Sequence, residues 1–79
     1  MKEFEIQLRS VWDVQDFVDL ATTRSFDVLV CDGHHRVNGK SFMEMFCLNF
    51  SKRLLAEAEC AQEEFDQFHK DAERFLVHN

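Results

Sequence analysis

The segment VNGKSFMEMFCL, residues 37–48, sets Lys40 and Ser41 directly before a run rich in Phe and Met. Ser41 precedes Glu44 by three residues, which is the spacing of a capping box at the start of a helix. The residues that recur at helical steps and can face a core are Phe42, Met45 and Leu48. The pattern therefore predicts a brief helix from Ser41 to about Leu48.

Five large apolar residues fall within these two helical turns: Phe42, Met43, Met45, Phe46 and Leu48. A helix of this length cannot turn all five side chains toward one core, because successive residues point in different directions around its axis. Met43 and at least one Phe are therefore expected to face water or a partner. Methionine suits an adaptable binding surface, because its side chain is flexible and polarisable.

Before this segment, the chain predicts a strand, a helix and two further strands. Apolar and polar residues alternate from Glu3 to Leu8, which indicates a strand with one dry face. The next apolar residues recur at steps of three and four, so a helix runs from about 11 to 23, and Ser10 and Asp13 have capping-box spacing at its start. The stretches FDVLVCD, residues 26–32, and HHRVN, residues 34–38, predict the second and third strands around a turn at Gly33.

After the segment, the chain predicts one more strand and one more helix. Apolar residues alternate with Leu55, Glu57 and Glu59 over residues 54–59, which predicts the fourth strand. The apolar stripe of the terminal helix consists of Ala61, Phe65, Phe68, Ala72, Phe75 and Leu76. The element order β-α-β-β-α-β-α predicts an α+β fold, in which helices cover one face of a four-stranded antiparallel sheet and the other face is open to water.

Composition and charge limit the classes of partner. With 46% hydrophobic residues and no Pro among 79, the chain is expected to fold as one domain over residues 1–79. Its formal net charge of −6 repels phosphate backbones and anionic lipids, so neither a nucleic acid nor a membrane surface is an expected partner. A basic protein surface fits this charge better.

The cysteines and the N-terminus favour a cytoplasmic protein. Cys31, Cys47 and Cys60 are odd in number and lack C-x-x-C spacing, so we expect three reduced thiols rather than a disulfide framework. The N-terminal stretch MKEFEIQL alternates charged and apolar residues, which is not the pattern of a signal peptide. No stretch approaches the length of a membrane span.

Three segments in this element order carry a family resemblance: FVDLA, residues 17–21, DVLV, residues 27–30, and VNGKSFMEMFCL, residues 37–48. Together they resemble the HPr family of phosphocarrier proteins from the bacterial sugar phosphotransferase system. The resemblance covers nearly the whole chain and implies the HPr-like open-faced β-sandwich. It also implies a protein that is not an enzyme, that needs no cofactor, and that binds phosphotransferase-system enzymes, a serine kinase or a transcription regulator.

The family places its chemistry in a G-[LI]-H-x-R-P loop before the first helix, where the His accepts a phosphoryl group and the Arg holds it. The corresponding stretch here is QLRSVWDV, residues 7–14, which contains no His, Gly or Pro. Ser10 falls near the phosphohistidine position, and Trp12 stands where the family has Arg. A serine phosphate ester has too low a transfer potential for a relay, and Asp13 and Asp16 would repel it. We therefore expect Ser10 to be a helix cap and the phosphorelay to be lost.

In many family members the serine of the second motif is phosphorylated by a dedicated kinase, and the adjacent apolar residues bind partner proteins. Ser41 matches that serine, which makes it a candidate site of regulatory phosphorylation. By the same resemblance, the candidate partner-binding residues are Trp12, Lys40, Phe42, Met43 and Phe46. An alternative is that Ser41 only caps its helix; the two roles are compatible, because a phosphate strengthens a cap.

Two other functions are weighed against this docking module. The first is a working phosphocarrier that uses an unexpected residue. The second is a ligand- or metal-binding domain, for which Cys31, Asp32 and the adjacent His34 and His35 are the candidate zinc ligands. Adjacent residues on a strand point to opposite faces, so the two imidazoles cannot bind one ion together, and we predict no metal site. His69 is expected on the surface of the last helix and His78 in a tail.

One feature of the predicted sheet has two interpretations. Glu3, Glu5, Glu57 and Glu59 are expected to crowd its open face, since the first and fourth strands are neighbours in the HPr fold. Like charges on adjacent strands lower stability. This face would therefore serve either solubility, which we favour, or contact with a basic partner.

Overall fold

The computed structural model describes residues 2–77 and has the predicted element order. The strands are β1 (Lys2–Ile6), β2 (Val28–Cys31), β3 (Arg36–Asn38) and β4 (Leu54–Ala58). The helices are α1 (Val11–Thr22), α2 (Phe42–Met45) and α3 (Gln62–Asp71), and a single 3-10 turn, Glu73–Phe75, follows α3. His78 lies outside the described residues.

The four strands form one antiparallel sheet in the order β1-β4-β2-β3. At its centre Val30 pairs with Ala56 of β4 on one side and with Val37 of β3 on the other. Because side chains alternate along a strand, all three face the same side and are buried there. The opposite side carries residues such as Glu3 and is left open, so the predicted α+β fold is confirmed.

An aromatic core joins the helices to the sheet. Phe68 of α3 is fully buried, and the rings of Phe4 and Phe26 approach it edge-on with centroids 5.6 and 5.7 Å away. Phe17 of α1 meets Phe75 in the same way at 5.6 Å. Such edge-to-face pairs add to the stabilisation from apolar burial and hold each ring in one orientation. They make the helix layer a fixed support for the surface at the starts of α1 and α2.

Two helices are shorter than predicted. The helix expected to reach about Leu48 ends at Met45, because the amides of residues 46–48 bond to carbonyls three residues back, as in turns, and not four.

The last helix is shorter as well. It ends at Asp71 instead of continuing to Leu76, and Leu76 instead forms a bridge with Ile6. The amide of Gln7 also donates to the carbonyl of Phe75 at 2.8 Å. Pairing with the exposed edge of β1 therefore replaces the last helical turn. The 3-10 turn still buries the ring of Phe75. The apolar spacing of the sequence therefore looks helical through that residue, although the α-helix has already ended.

Arginines reduce the repulsion between the carboxylates on the open face of the sheet. Glu3 and Glu57 lie directly opposite each other, as expected. However, Arg36 of β3 pairs with Glu57 at 2.5 Å, and Arg53, just before β4, lies 3.7 Å from Glu5. The predicted crowding is confirmed for Glu3 and Glu57, but the prediction left out these two arginines. The ion pairs offset the repulsion between like charges across neighbouring strands.

Candidate functional site

Ser10 caps helix α1. Its Oγ accepts a hydrogen bond from the backbone N–H of Asp13 at 3.2 Å, and its own backbone is extended. The carboxylate of Asp13 reaches the amide of Arg9, at 2.9 Å, rather than that of Ser10. The predicted cap is therefore confirmed, but the Asp13 side chain bonds the amide of the residue before the cap instead of the amide of Ser10 itself. The bond to the Ser10 Oγ satisfies one of the free N–H groups at the helix start.

The start of α1 is acidic and is tied to the C-terminal part of the chain. Arg74 donates to Asp13 at 2.9 Å and lies 3.4 Å from the carboxylate of Asp16. Sequence reasoning missed Arg74, because 61 residues separate it from Asp13 and no local pattern marks the pair. The two carboxylates therefore form ion pairs with Arg74 near Ser10.

Ser41 caps helix α2. Its Oγ accepts a hydrogen bond from the amide of Glu44 at 3.2 Å, as predicted. The carboxylate of Glu44 does not return to the Ser41 amide; it accepts from the amide of Asn38 at 3.3 Å, and the Ser41 amide donates to the Asn38 carbonyl. Only half of the predicted capping box is therefore present, and Glu44 ties the helix start to the end of β3.

The loop before Ser41 is held closely against the sheet and against the end of α1. The ammonium of Lys40 donates to the carbonyl of Arg24 at 2.7 Å. The amide of Gly39 donates to the carbonyl of Val28 at 2.7 Å, and a Cβ at position 39 would lie 2.9 Å from Val28 Cγ1. Position 39 therefore needs glycine. These contacts fix where α2 begins.

The starts of α1 and α2 expose large apolar side chains. Met43 is 81% exposed, Trp12 75%, Val11 48% and Phe46 47%. We call these four residues the apolar patch. Met45 and Leu48 are buried, as predicted. The prediction that Met43 and one Phe face outward is also confirmed, and the Phe is Phe46. Exposed apolar residues that gather in one region of a surface are typical of protein-binding sites.

A cleft of about 170 Å³ joins the two halves of this region. Its lining consists of Leu8, Arg9, Ser10, Val11, Val14, Phe46 and Phe50. The rings of Phe42 and Phe50 flank that of Phe46, with centroids 4.8 and 6.0 Å away. The structure thus brings Ser10 together with the segment that follows α2. Contact of Trp12 with Phe42 and Met43 stays a prediction.

Asp32 is a buried carboxylate whose role the sequence did not predict. It accepts three backbone N–H bonds, from His34 at 2.8 Å, His35 at 2.7 Å and Asn49 at 2.9 Å. These bonds, led by that of His35, hold the pKa of Asp32 well below its usual range, although burial opposes the shift. The Asp-Gly pair at positions 32–33 indicates a turn, but nothing in the sequence indicates the bond to Asn49.

The candidate zinc ligands and the other histidines are the residues to consider for a second kind of site. Among residues 2–77, no three His, Cys, Asp or Glu side chains lie together in a way that could hold a metal ion. Asp32, the central candidate ligand, uses its oxygens on backbone amides. His69 lies on α3 with its ring edge-on to Phe4. None of the helices in this range is both long and apolar enough to cross a membrane.

Comparison with solved structures shows that this fold is similar to that of HPr proteins. HPr-C-His from Thermoanaerobacter tengcongensis superposes with a TM-score of 0.74 and 26% identity, over 91% of this chain and 90% of that one. The phosphocarrier protein HPr from Bacillus anthracis str. Ames gives 0.64 and 16%, over 85% and 90%. A mycoplasma histidine-containing phosphocarrier protein gives 0.66 and 11%, over 96% and 100%.

Neither a protein-family model nor a curated protein matches the sequence. The chain therefore has the HPr-like fold that its three sequence segments predicted, and the likeness supports a phosphocarrier-type protein. Sequence identity is low because a small fold of this kind depends on the pattern of buried residues, which many sequences satisfy.

Proposed function

We propose that this protein is an HPr-like module that has lost the phosphorelay and binds partner proteins through the Ser41 helix and the apolar patch. The observation that carries the proposal is that two helices in contact, α1 and α2, expose large apolar side chains on an HPr-like fold. Val11 and Phe46 line one cleft between them, and Trp12 and Met43 are the most exposed of the four. A monomeric protein rarely exposes large apolar side chains together without a use for them.

The residues at the start of α1 support the loss of the relay. A relay of this kind needs a nucleophile that forms a high-energy phosphoramidate, and imidazole is the side chain that does so near neutral pH. The stretch 7–14 contains no His, and the hydroxyl present there, Ser10, caps the helix. Asp13 and Asp16 add negative charge near it, which Arg74 offsets only in part because it is one cation between two carboxylates. A phosphate on Ser10 would meet this charge at short range.

Ser41 is the proposed site of regulatory phosphorylation. Its side chain is partly exposed and already lies at a helix N-terminus, where the backbone N–H groups favour a dianion. Glu44 points toward Asn38, so it opposes a phosphate less than in a full capping box. Lys40 donates to the Arg24 carbonyl, so it holds the start of α2 in place. In our proposal it also lies at the edge of the partner-binding surface.

The proposed partner-binding residues are Trp12, Lys40, Phe42, Met43 and Phe46. By the family resemblance, the partners are phosphotransferase-system enzymes, a serine kinase or a transcription regulator, and we place the protein in the cytoplasm. A phosphate on Ser41 would border the exposed Met43, so it would weaken an apolar partner and favour one that offers arginine.

Site-specific photo-crosslinking in cells tests the docking surface. A photoreactive phenylalanine analogue replaces Met43 in one variant and Trp12 in a second, because both side chains point into solvent. The matched control carries the analogue at Glu63, an exposed residue on α3. We expect one partner protein to be captured from positions 43 and 12 but not from 63, and to be lost on adding Ser41→Asp. Equal capture at all three positions would overturn the proposal.

A working phosphocarrier is the second candidate. It is favoured by structural neighbours such as the Bacillus anthracis and mycoplasma proteins, which are named phosphocarrier proteins. It would need a phosphoacceptor outside residues 7–14, and His34 and His35 lie in the turn between β2 and β3, on a different element from the start of α1. A direct phosphoryl-transfer measurement separates the two candidates.

A further inference from the structure

The Asp32 carboxylate joins the turn after β2 to the segment between α2 and β4. Its side chain is only 3% exposed. One oxygen, Oδ1, accepts from the amides of His34 and His35 within the turn. The other, Oδ2, accepts from the amide of Asn49, 17 residues further along the chain, at 2.9 Å. Hydrogen bonds to a charged acceptor in a buried place are among the stronger ones in proteins.

Asn49 lies between two residues that line the cleft, Phe46 and Phe50. Their rings are 6.0 Å apart between centroids and nearly perpendicular. The side chain of Asn49 bonds Ser51 in its own segment, whereas the bond to Asp32 joins this segment to the turn after β2. The amides of residues 46–48 bond to carbonyls of α2 three residues before them. The bond to Asp32 therefore bears most directly on Asn49 and on the adjacent ring of Phe50, which contacts that of Phe46.

From this geometry we infer that Asp32 is a positioning residue for the docking surface: its carboxylate holds the chain at Asn49, and through the adjacent Phe50 it helps to set the shape of the cleft. The inference rests on the proposed function in taking the cleft as part of that surface. Asp32 itself is buried, so it acts through Asn49 rather than by contact with a partner.

The test compares Asp32→Ala with Asp27→Ala by nuclear magnetic resonance on the free protein. Asp27 is an exposed carboxylate just before β2, so its replacement changes the net charge equally. Losing the charged acceptor should speed amide exchange at Asn49 by about tenfold to a hundredfold. The ring signals of Phe46 and Phe50 should move. The Val30 amide, in the centre of the sheet, should change far less, which a merely global loss of stability would not produce.

Unchanged Asn49 exchange together with unchanged Phe46 and Phe50 rings in Asp32→Ala would overturn the inference. So would acceleration that is equal at Asn49 and Val30. If the variant does not fold, the wild-type protein decides the matter. A scalar coupling across the hydrogen bond, from the Asn49 amide to the carboxyl carbon of Asp32, is expected, and its absence with a rapidly exchanging Asn49 contradicts the inference.

These measurements need no partner. They therefore give an answer even if crosslinking captures nothing, and the failure of the docking proposal and the failure of the positioning role remain distinct results. If both hold, Asp32→Ala should reduce crosslinking from Met43, while Asp27→Ala should leave it as in the wild type.

Discussion

At the scale of single residues, this protein places two carboxylates where hydrogen bonds favour their charged form. Asp32 accepts three backbone amides, and Asp71 accepts from Arg24 and from the side chain of Gln67. Each pKa lies below its usual range, in Asp71 mainly because of the bond from Arg24. Both groups therefore link folding to pH.

The sign of that link follows from the direction of the shifts. A carboxyl group with a lower pKa in the folded state stabilises the fold at every pH above its unfolded pKa, about 4 for Asp. This contribution is lost as the pH falls from there toward the folded-state value. We expect the free energy of unfolding, measured with urea, to decrease steadily below about pH 4.

Asp32→Asn should show a smaller decrease over that range, because its side chain does not titrate. Parallel pH profiles for wild type and Asp32→Asn would mean that the three amide bonds do not favour the charged carboxylate.

At the scale of elements, α2 is a helix of four residues whose position depends on its surroundings. Lys40 bonds the carbonyl of Arg24, just after α1, Glu44 bonds the last residue of β3, and Ser41 caps the helix. Each of these bonds comes from the VNGKS stretch or the residues directly after it. The helix has too few internal hydrogen bonds to be stable alone, so these tertiary contacts decide its geometry.

This support predicts that Ser41→Asp leaves the fold intact while changing recognition. Aspartate is a good cap, so the melting temperature should stay close to that of the wild type, whereas Ser41→Ala should cost about 0.5–2 kcal/mol. Thermal unfolding of the three proteins measures the first part, and capture of bound proteins from extract measures the second. A large loss of melting temperature in Ser41→Asp, or an unchanged set of bound proteins, would leave Ser41 as a structural cap alone.

Most elements could be predicted from the sequence, because periodicity reports which face of an element is buried. The two serine caps followed from local spacing in the same way. The end of α3 could not be predicted, because the bridge from Leu76 to Ile6 depends on pairing across the whole chain. The links from Arg74 to Asp13 and from Asp32 to Asn49 were missed for the same reason: each joins residues far apart in sequence.

At the scale of the whole molecule, a phosphocarrier-like fold carries an apolar surface where the family resemblance implies a charged loop. The sheet and the aromatic core hold the starts of α1 and α2 side by side, and the cleft between them is lined mainly by apolar side chains. The formal net charge of −6 gives the molecule a negative field. The fold thus supplies the position, and the residues on it decide whether the surface transfers a group or binds a protein.

Our proposal that this protein no longer relays phosphate can be tested by a direct phosphoryl-transfer measurement. The protein is incubated with phosphoenolpyruvate and the upstream phosphotransferase enzyme, with the Bacillus anthracis HPr as the positive control, and its mass is followed under mildly alkaline conditions that preserve phosphohistidine. We expect an unchanged mass for this protein, while the control gains an acid-labile phosphoryl group. Acid-labile phosphate on this chain that then passes to a sugar-specific acceptor would contradict the proposal.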